Sequence, residues 1–120
     1  MAKAKPKETY VRNAKVNGVV DGDTVDLQVD LGCDISINMR CRLDGINAPE
    51  KNTDAGKTSK AWVEKTLPVG TAVVVQTVQD KQEKYGRYLA TVFLPNTAKS
   101  INDQLIEQGL AKPYHGEART

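Results

Sequence analysis

Residues 23–43 read DTVDLQVDLGCDISINMRCRL, and this stretch decides the fold. Val25, Leu27 and Val29 alternate with polar neighbours, the period of two expected of a half-buried strand. In the second half, Ile35, Ile37, Met39, Cys41 and Leu43 share one face, which sends Ser36, Asn38, Arg40 and Arg42 to the other. The segment DLGC between the two runs predicts a hairpin turn through Gly32. The same parity makes Cys41 a core thiol and directs Arg42 out of the core.

Working outward, YVRNAKVNGVV at residues 10–20 is a further β-rich segment. TAVVVQTVQ and YLATVFL are two more strands, separated by the charged turn DKQEKYGR. Residues 57–67, KTSKAWVEKTL, predict a helix that ends at PVG, with Ala61, Trp62 and Leu67 on its buried side. Ser100 with Asp103 three positions later starts a second helix, INDQLIEQGLA, whose Ile101, Leu105 and Ile106 form an apolar stripe and whose stop is Gly109. Five strands in two groups, an intervening helix and a closing helix define a small closed or nearly closed barrel, mainly β within the α+β class.

A chain of 120 residues is read as one domain with a core of its own. Seventeen Lys and Arg against fifteen Asp and Glu leave a net charge of +2, too small to identify a polyanion partner, so any basic site must come from placement. Cys33 and Cys41 are too few for a disulfide scaffold and do not form a C-x-x-C pair; both are read as reduced. No apolar run approaches a membrane span, and MAKAKPKETY has no apolar middle, so a cytoplasmic protein is expected. Residues 1–9 read as a flexible arm, 10–115 as the domain and 116–120 as a tail.

Four polar clusters interrupt this pattern. DGDT, Asp21 to Thr24, puts two carboxylates around a glycine at a strand junction, where their oxygens suit a hard cation. Asn47 and Glu50 bracket Ala48 and Pro49; the proline biases Ala48 toward extended geometry, which can present its carbonyl. In EKYGR, Gly86 lets Lys84, Tyr85 and Arg87 crowd one turn, and GLAKPYHGEAR sets Tyr114 and His115 just after a helix. Taken singly, each is also an ordinary turn or a solvated loop. As the only histidine, His115 excludes a histidine pair or a multi-histidine metal site. Together, carboxylates for a divalent ion, arginines for a phosphorane-like transition state and a glutamate for water describe phosphodiester hydrolysis.

With these residues assembled, the chain resembles the staphylococcal nuclease (thermonuclease) family over about residues 10–115, through VVDGDTV, RLDGINAPE, KYGR followed by LA, and INDQLIEQGLAKPY, in the family's order. The resemblance implies a five-stranded OB-type barrel with helices packed against it. It also implies calcium-dependent, sugar-nonspecific hydrolysis of DNA and RNA that leaves 3′-phosphate ends. By position it makes Asp23 a Ca2+ ligand and Asp21 an acid acting on the ion through water. Arg42 and Arg87 become phosphate-binding arginines, and Glu50 the group that positions or activates water. Lys84 and Tyr85 surround the terminal phosphate, and Tyr114 or His115 lies near a base-stacking tyrosine. Asn47 departs from the family, whose best-known member has a second calcium-ligating aspartate there; its amide oxygen remains a possible ligand beside the main-chain carbonyl of Ala48, and weaker metal binding is expected. The segment after Glu50 is also shorter, and the hairpin at Gly32 longer, than the family's.

The partner so implied is DNA or RNA, single strands favoured, met by a monomer without a membrane role. The competing class is a noncatalytic nucleic-acid- or protein-binding barrel. Such a module needs cations but not Glu50, and a chain with five per cent aromatic residues makes a poor stacking platform.

Overall fold

The computed structural model describes residues 10–50, 52–79, 88–95 and 97–114. The expected arm and tail, residues 1–9 and 116–120, lie outside the described residues. Strands β1 (Tyr10–Asp21), β2 (Thr24–Gly32), β3 (Ile35–Leu43), β5 (Ala72–Gln79) and β6 (Tyr88–Phe93) form a closed barrel in the order β1-β2-β3-β6-β5. Helices α1 (Asp54–Thr66) and α2 (Ile101–Glu107) pack on it, and β4 (Ile46–Asn47) pairs with β7 (Lys112–Pro113) as a separate two-stranded sheet. This is the closed barrel that the alternating pattern predicts and the OB-type α+β architecture that the family resemblance implies.

Val25, Leu27, Val29, Cys41 and Leu43 enter the core, as their parity requires, and meet Val73, Val75, Ala90 and Val92 from the other side of the barrel. Burying each large aliphatic side chain favours folding by roughly 1.5–3 kcal/mol. Ile35 and Ile37 do not follow: they remain 57% and 47% exposed. Their face is the inward one, but β3 meets β6 only over Cys41–Leu43, so the outer half of the β2–β3 hairpin extends past the part of the barrel that could cover it. The turn also sits one step beyond the expected place. Gly32 pairs with Ile35, and Cys33 and Asp34 form the two-residue loop with φ of 54° and 62°, the left-handed pair of a type I′ turn.

Helix α1 begins three residues earlier than the sequence pattern predicts, because the Thr53 hydroxyl caps it by accepting the Gly56 N–H at 3.0 Å. Its buried side is Gly56, Ser59, Val63 and Leu67, whereas Ala61 is exposed and Trp62 only half-buried against the core. A glycine and a serine on the inner face hide the stripe from a count of apolar residues. Helix α2 starts as expected, with the Ser100 hydroxyl accepting the Asp103 N–H at 3.0 Å. It ends in a Schellman motif: Gly109, at φ 73°, donates its N–H to Ile106 and Leu110 donates to Leu105. Ile101 and Leu105 are buried and Ile106 partly so.

Asn102, a polar residue inside this helix, is 97% buried by the same packing, being 3% exposed. Its amide accepts from Val92 N–H at 3.1 Å and donates to the carbonyls of Asp44 at 2.8 Å and Ala90 at 2.9 Å, joining α2 to β6 and to the turn after β3. Replacing it with leucine strands these groups without water. Asn102→Leu is therefore expected to cost ~2–4 kcal/mol, read as a lower urea midpoint at unchanged slope.

Candidate active site

The β2–β3 register pairs Thr24 with Arg42, which brings the DGDT turn alongside the end of β3. Asp21 pairs with Thr24 across that turn, and its carboxylate accepts the Asp23 N–H at 3.1 Å. The stretch is thus a tight Asp-Gly turn and a carboxylate cluster at once. The Asp23 main-chain carbonyl accepts from Leu43 N–H at 2.7 Å, and its carboxylate accepts from Ala48 N–H at 3.0 Å and from the Thr24 hydroxyl at 3.2 Å.

Gly22 fills a role beyond turning the chain. A Cβ there would lie 2.7 Å from the Ser59 Cβ and 3.0 Å from the Ala48 Cβ, so only glycine lets the turn, α1 and the Ala48 loop meet this closely. Nothing in the spacing of DGDT reveals that contact.

Arg42 points away from the barrel interior, as its parity predicts, yet it is 8% exposed. The outer face at this end is met by β4 and by Tyr114. Nη2 of Arg42 donates to the Ile46 carbonyl at 3.0 Å and to Asn47 Oδ1 at 3.2 Å, and the guanidinium lies 5.1 Å from the centre of the Tyr114 ring. Asp23 Oδ2 is 3.9 Å away, near enough for attraction and too far for a hydrogen bond. On the same two strands, Arg40 and Asp26 show what a committed pair looks like, with nitrogen–oxygen distances of 2.8 Å and 3.2 Å.

Burial pushes the Asp23 carboxyl up to about 6, with hydrogen bonding and charge from Asp21 adding to the rise; the Ala48 N–H and the Thr24 hydroxyl pull the other way. The Arg42 hydrogen bonds go to Ile46 and Asn47, so burial prevails. Cys41 is a buried core thiol, pushed up to about 11 by desolvation and, secondarily, by Asp26. Cys33 is exposed at the hairpin tip.

The structure therefore gathers Asp21, Asp23, Arg42, Asn47, Ala48 and Tyr114. Glu50 follows on the next loop, solvent-exposed, with its main-chain carbonyl accepting from the Thr53 N–H at 3.0 Å and the Thr53 hydroxyl at 2.6 Å at the start of α1. Lys84, Tyr85, Arg87 and His115 lie outside the described residues. Among the described residues, no three His, Cys, Asp or Glu side chains come together. The Asp21 and Asp23 carboxylates are oxygen donors of the kind a hard cation such as Ca2+ takes, while the Asn47 amide oxygen accepts from Arg42 and Ala48 meets Asp23 through its N–H.

Sequence reasoning missed Ser59 and the part played by Asn102, because a polar residue on a helix carries no mark of what its buried end will meet. Tyr114 was legible as a ring near the site, but its seat on Arg42 was not.

Comparison with known proteins gives three findings. The model of the family described as staphylococcal nuclease homologue matches residues 40–120. A protein of Escherichia coli O157:H7 and one of Escherichia coli, each described as an uncharacterized endonuclease, are 33% identical to the chain over 102 residues, covering 85% of it and 61% of each relative. An uncharacterized protein of Methanocaldococcus jannaschii is 32% identical over 125 residues, covering 83% of the chain and 58% of that relative. The chain spans about three fifths of the length of these relatives, 61% in the first.

The raised Asp23 carboxyl has a direct consequence for stability. Unfolded, the group ionises near 3.8; folded, it keeps its proton to about 6. The folded state thus holds the extra proton between these values, and stability contributed by this group is lost as pH rises through them. Asp23→Asn keeps an acceptor for Ala48 and removes the charge. Without metal at pH 7 the variant is expected to melt ~3–5 °C above the wild type, about 1 kcal/mol at this size once solvent screening is allowed for. Its melting temperature should also vary less between pH 4 and 6 in a thermal titration.

Proposed function

We propose a nuclease function from the premise that the chain belongs to the staphylococcal nuclease homologue family. The reading is a calcium-dependent, sugar-nonspecific endonuclease that hydrolyses phosphodiester bonds of DNA and RNA and leaves 3′-phosphate ends. One observation carries it: Arg42 and Asp23 are both largely desolvated and 3.9 Å apart, yet neither satisfies the other by a hydrogen bond. A pair serving stability would close, as Arg40 and Asp26 do. Left open, the guanidinium suits a phosphate and the carboxylate suits a cation.

In this reading Asp23, Asn47 and the Ala48 carbonyl hold Ca2+, with Asp21 acting through water. When bound, the ion supplies Lewis acidity and a template for the phosphate. Arg42 donates N–H groups to the non-bridging oxygens, where charge grows during in-line attack, and its burial strengthens that interaction. Arg87 is the second phosphate ligand by family position; it immediately precedes Tyr88, which pairs with Cys41 beside Arg42. Lys84 and Tyr85 take the terminal phosphate. Glu50, exposed and fixed through its main chain to the start of α1, uses its carboxylate to orient a water or take its proton. Tyr114 holds the guanidinium plane and offers a ring for a base. Asn47 supplies one fewer negative charge than an aspartate, so weaker calcium affinity accompanies the same geometry. Single-stranded nucleic acid is the favoured substrate, met by a monomer.

The test is cleavage of single-stranded DNA by purified protein with calcium, with EDTA, and with Glu50→Gln and Arg87→Ala in parallel, folding of both variants being checked first. Cleavage that needs calcium and falls ~100-fold or more in each variant supports the enzyme, and phosphatase-sensitive 3′ ends identify the bond broken. DNA that binds without being cut at millimolar calcium makes the chain a binding module instead. Calcium should also raise the melting temperature of the wild type and leave that of Asp23→Asn unchanged, which tests the ligand set without any turnover.

A further inference from the structure

The parts of the site come from distant stretches of chain, and one buried hydroxyl lies where they meet. Ser59, on the inner side of α1, has no exposed surface. Its Cβ faces Gly22 so closely that a methyl there would come within 2.7 Å. Its Oγ donates to the carbonyl of Leu110, fifty-one positions away, at 2.5 Å. Leu110 is where the chain leaves the Schellman turn of α2 and starts toward β7.

From that anchor the path to the chemistry is short. β7 pairs with β4 in the register Ile46 with Pro113 and Asn47 with Lys112, and Tyr114 N–H donates to the Gly45 carbonyl at 2.8 Å. The Tyr114 ring lies against Arg42, and Arg42 faces Asp23 at 3.9 Å. Asp23 directly follows Gly22, which returns the path to Ser59. The contacts close on themselves, and each spans elements that no local rule would hold at a fixed separation.

We propose that Ser59 is a positioning residue, which sets the distance between the Asp21–Asp23 turn and the strand that carries Tyr114 and thereby fixes Arg42 opposite Asp23. The inference rests on the nuclease reading for its consequence in catalysis and on the contacts alone for its geometry. Two features separate this role from simple packing. A residue needed only to place a Cβ against Gly22 would be served by alanine, since it is the Ser59 Cβ that makes that contact. The hydroxyl instead makes a buried bond to a main-chain carbonyl, so that its loss frees the end of α2 while leaving the barrel's own ladder intact. Catalytic groups tolerate little displacement, and a shift of about 1 Å costs roughly 100-fold in rate.

Ser59→Ala tests the strand side and Gly22→Ala the turn side, each in the full chain. Amide hydrogen exchange is read at Tyr114, and at Val25 and Leu27 in the barrel as internal controls. In Ser59→Ala, exchange at Tyr114 is expected to quicken about 10-fold or more while Val25 and Leu27 keep their protection. The kcat on single-stranded DNA should fall about 10-fold or more with KM changed less than about twofold, since a displaced arginine loses transition-state contacts first. In Gly22→Ala, calorimetric titration with calcium alone should show weakened binding in a protein that still folds. Unchanged exchange at Tyr114 in Ser59→Ala, or quickening shared equally by Val25 and Leu27, overturns the proposal, as does a Gly22→Ala protein that binds calcium like the wild type. If the wild type does not cleave DNA, the nuclease reading fails on that result, and exchange at Tyr114 with the calcium titration still decides the role of Ser59.

Discussion

The pairing of Thr24 with Arg42 is the constraint on which the rest of the site depends. A strand register is all or nothing, because a slip of one residue exchanges the two faces of the sheet. Here the slip would put Arg42 beside Val25 and Leu27 in the core and expel Cys41 and Leu43. The apolar side chains that hold the register against this penalty therefore also fix the arginine beside the Asp-Gly turn. Barrel closure completes the placement, since β6 joins β3 only at Cys41, Arg42 and Leu43, the same three residues.

That placement leaves the site under tension. Two acidic residues two positions apart, one of them raised to about 6 by burial, and a guanidinium with 8% exposure are costly arrangements for folding alone. The cost is contained because every buried side-chain polar atom among the described residues finds a hydrogen-bond partner. The tension is also selective: Asp23 and Arg42 take their hydrogen bonds from third parties, and the distance between them stays open. An arrangement of this kind is one that folding stability alone does not favour.

Asn47 shows how a family pattern and a local structure inform one another. Its amide oxygen accepts from Arg42 at 3.2 Å, so the residue is tied to the arginine that the family resemblance makes a phosphate ligand. A neutral amide accepts this bond without the ion pair by which a carboxylate would pin the arginine.

The sequence by itself determined the barrel strands, the helix α2 with both of its caps, the core thiol at Cys41, and the polar clusters from which the site is built. Those are readable because periodicity, caps and turn residues act between neighbours in the chain. It also assigned Arg42 to the outer face, but it could not foretell that β4 and Tyr114 meet that face, that Ile35 and Ile37 stay exposed on theirs, or that Gly56 and Ser59 rather than Ala61 form the inner side of α1. Alternation states which side chains share a face; what covers the face is settled by segments far away. Tertiary structure alone decided that a serine in one helix, a glycine between two aspartates and a carbonyl near the C-terminus would touch. The physical reason is that close packing depends on the absence of a side chain at Gly22 and on one hydroxyl reaching a carbonyl fifty-one residues on, and neither leaves a periodic trace.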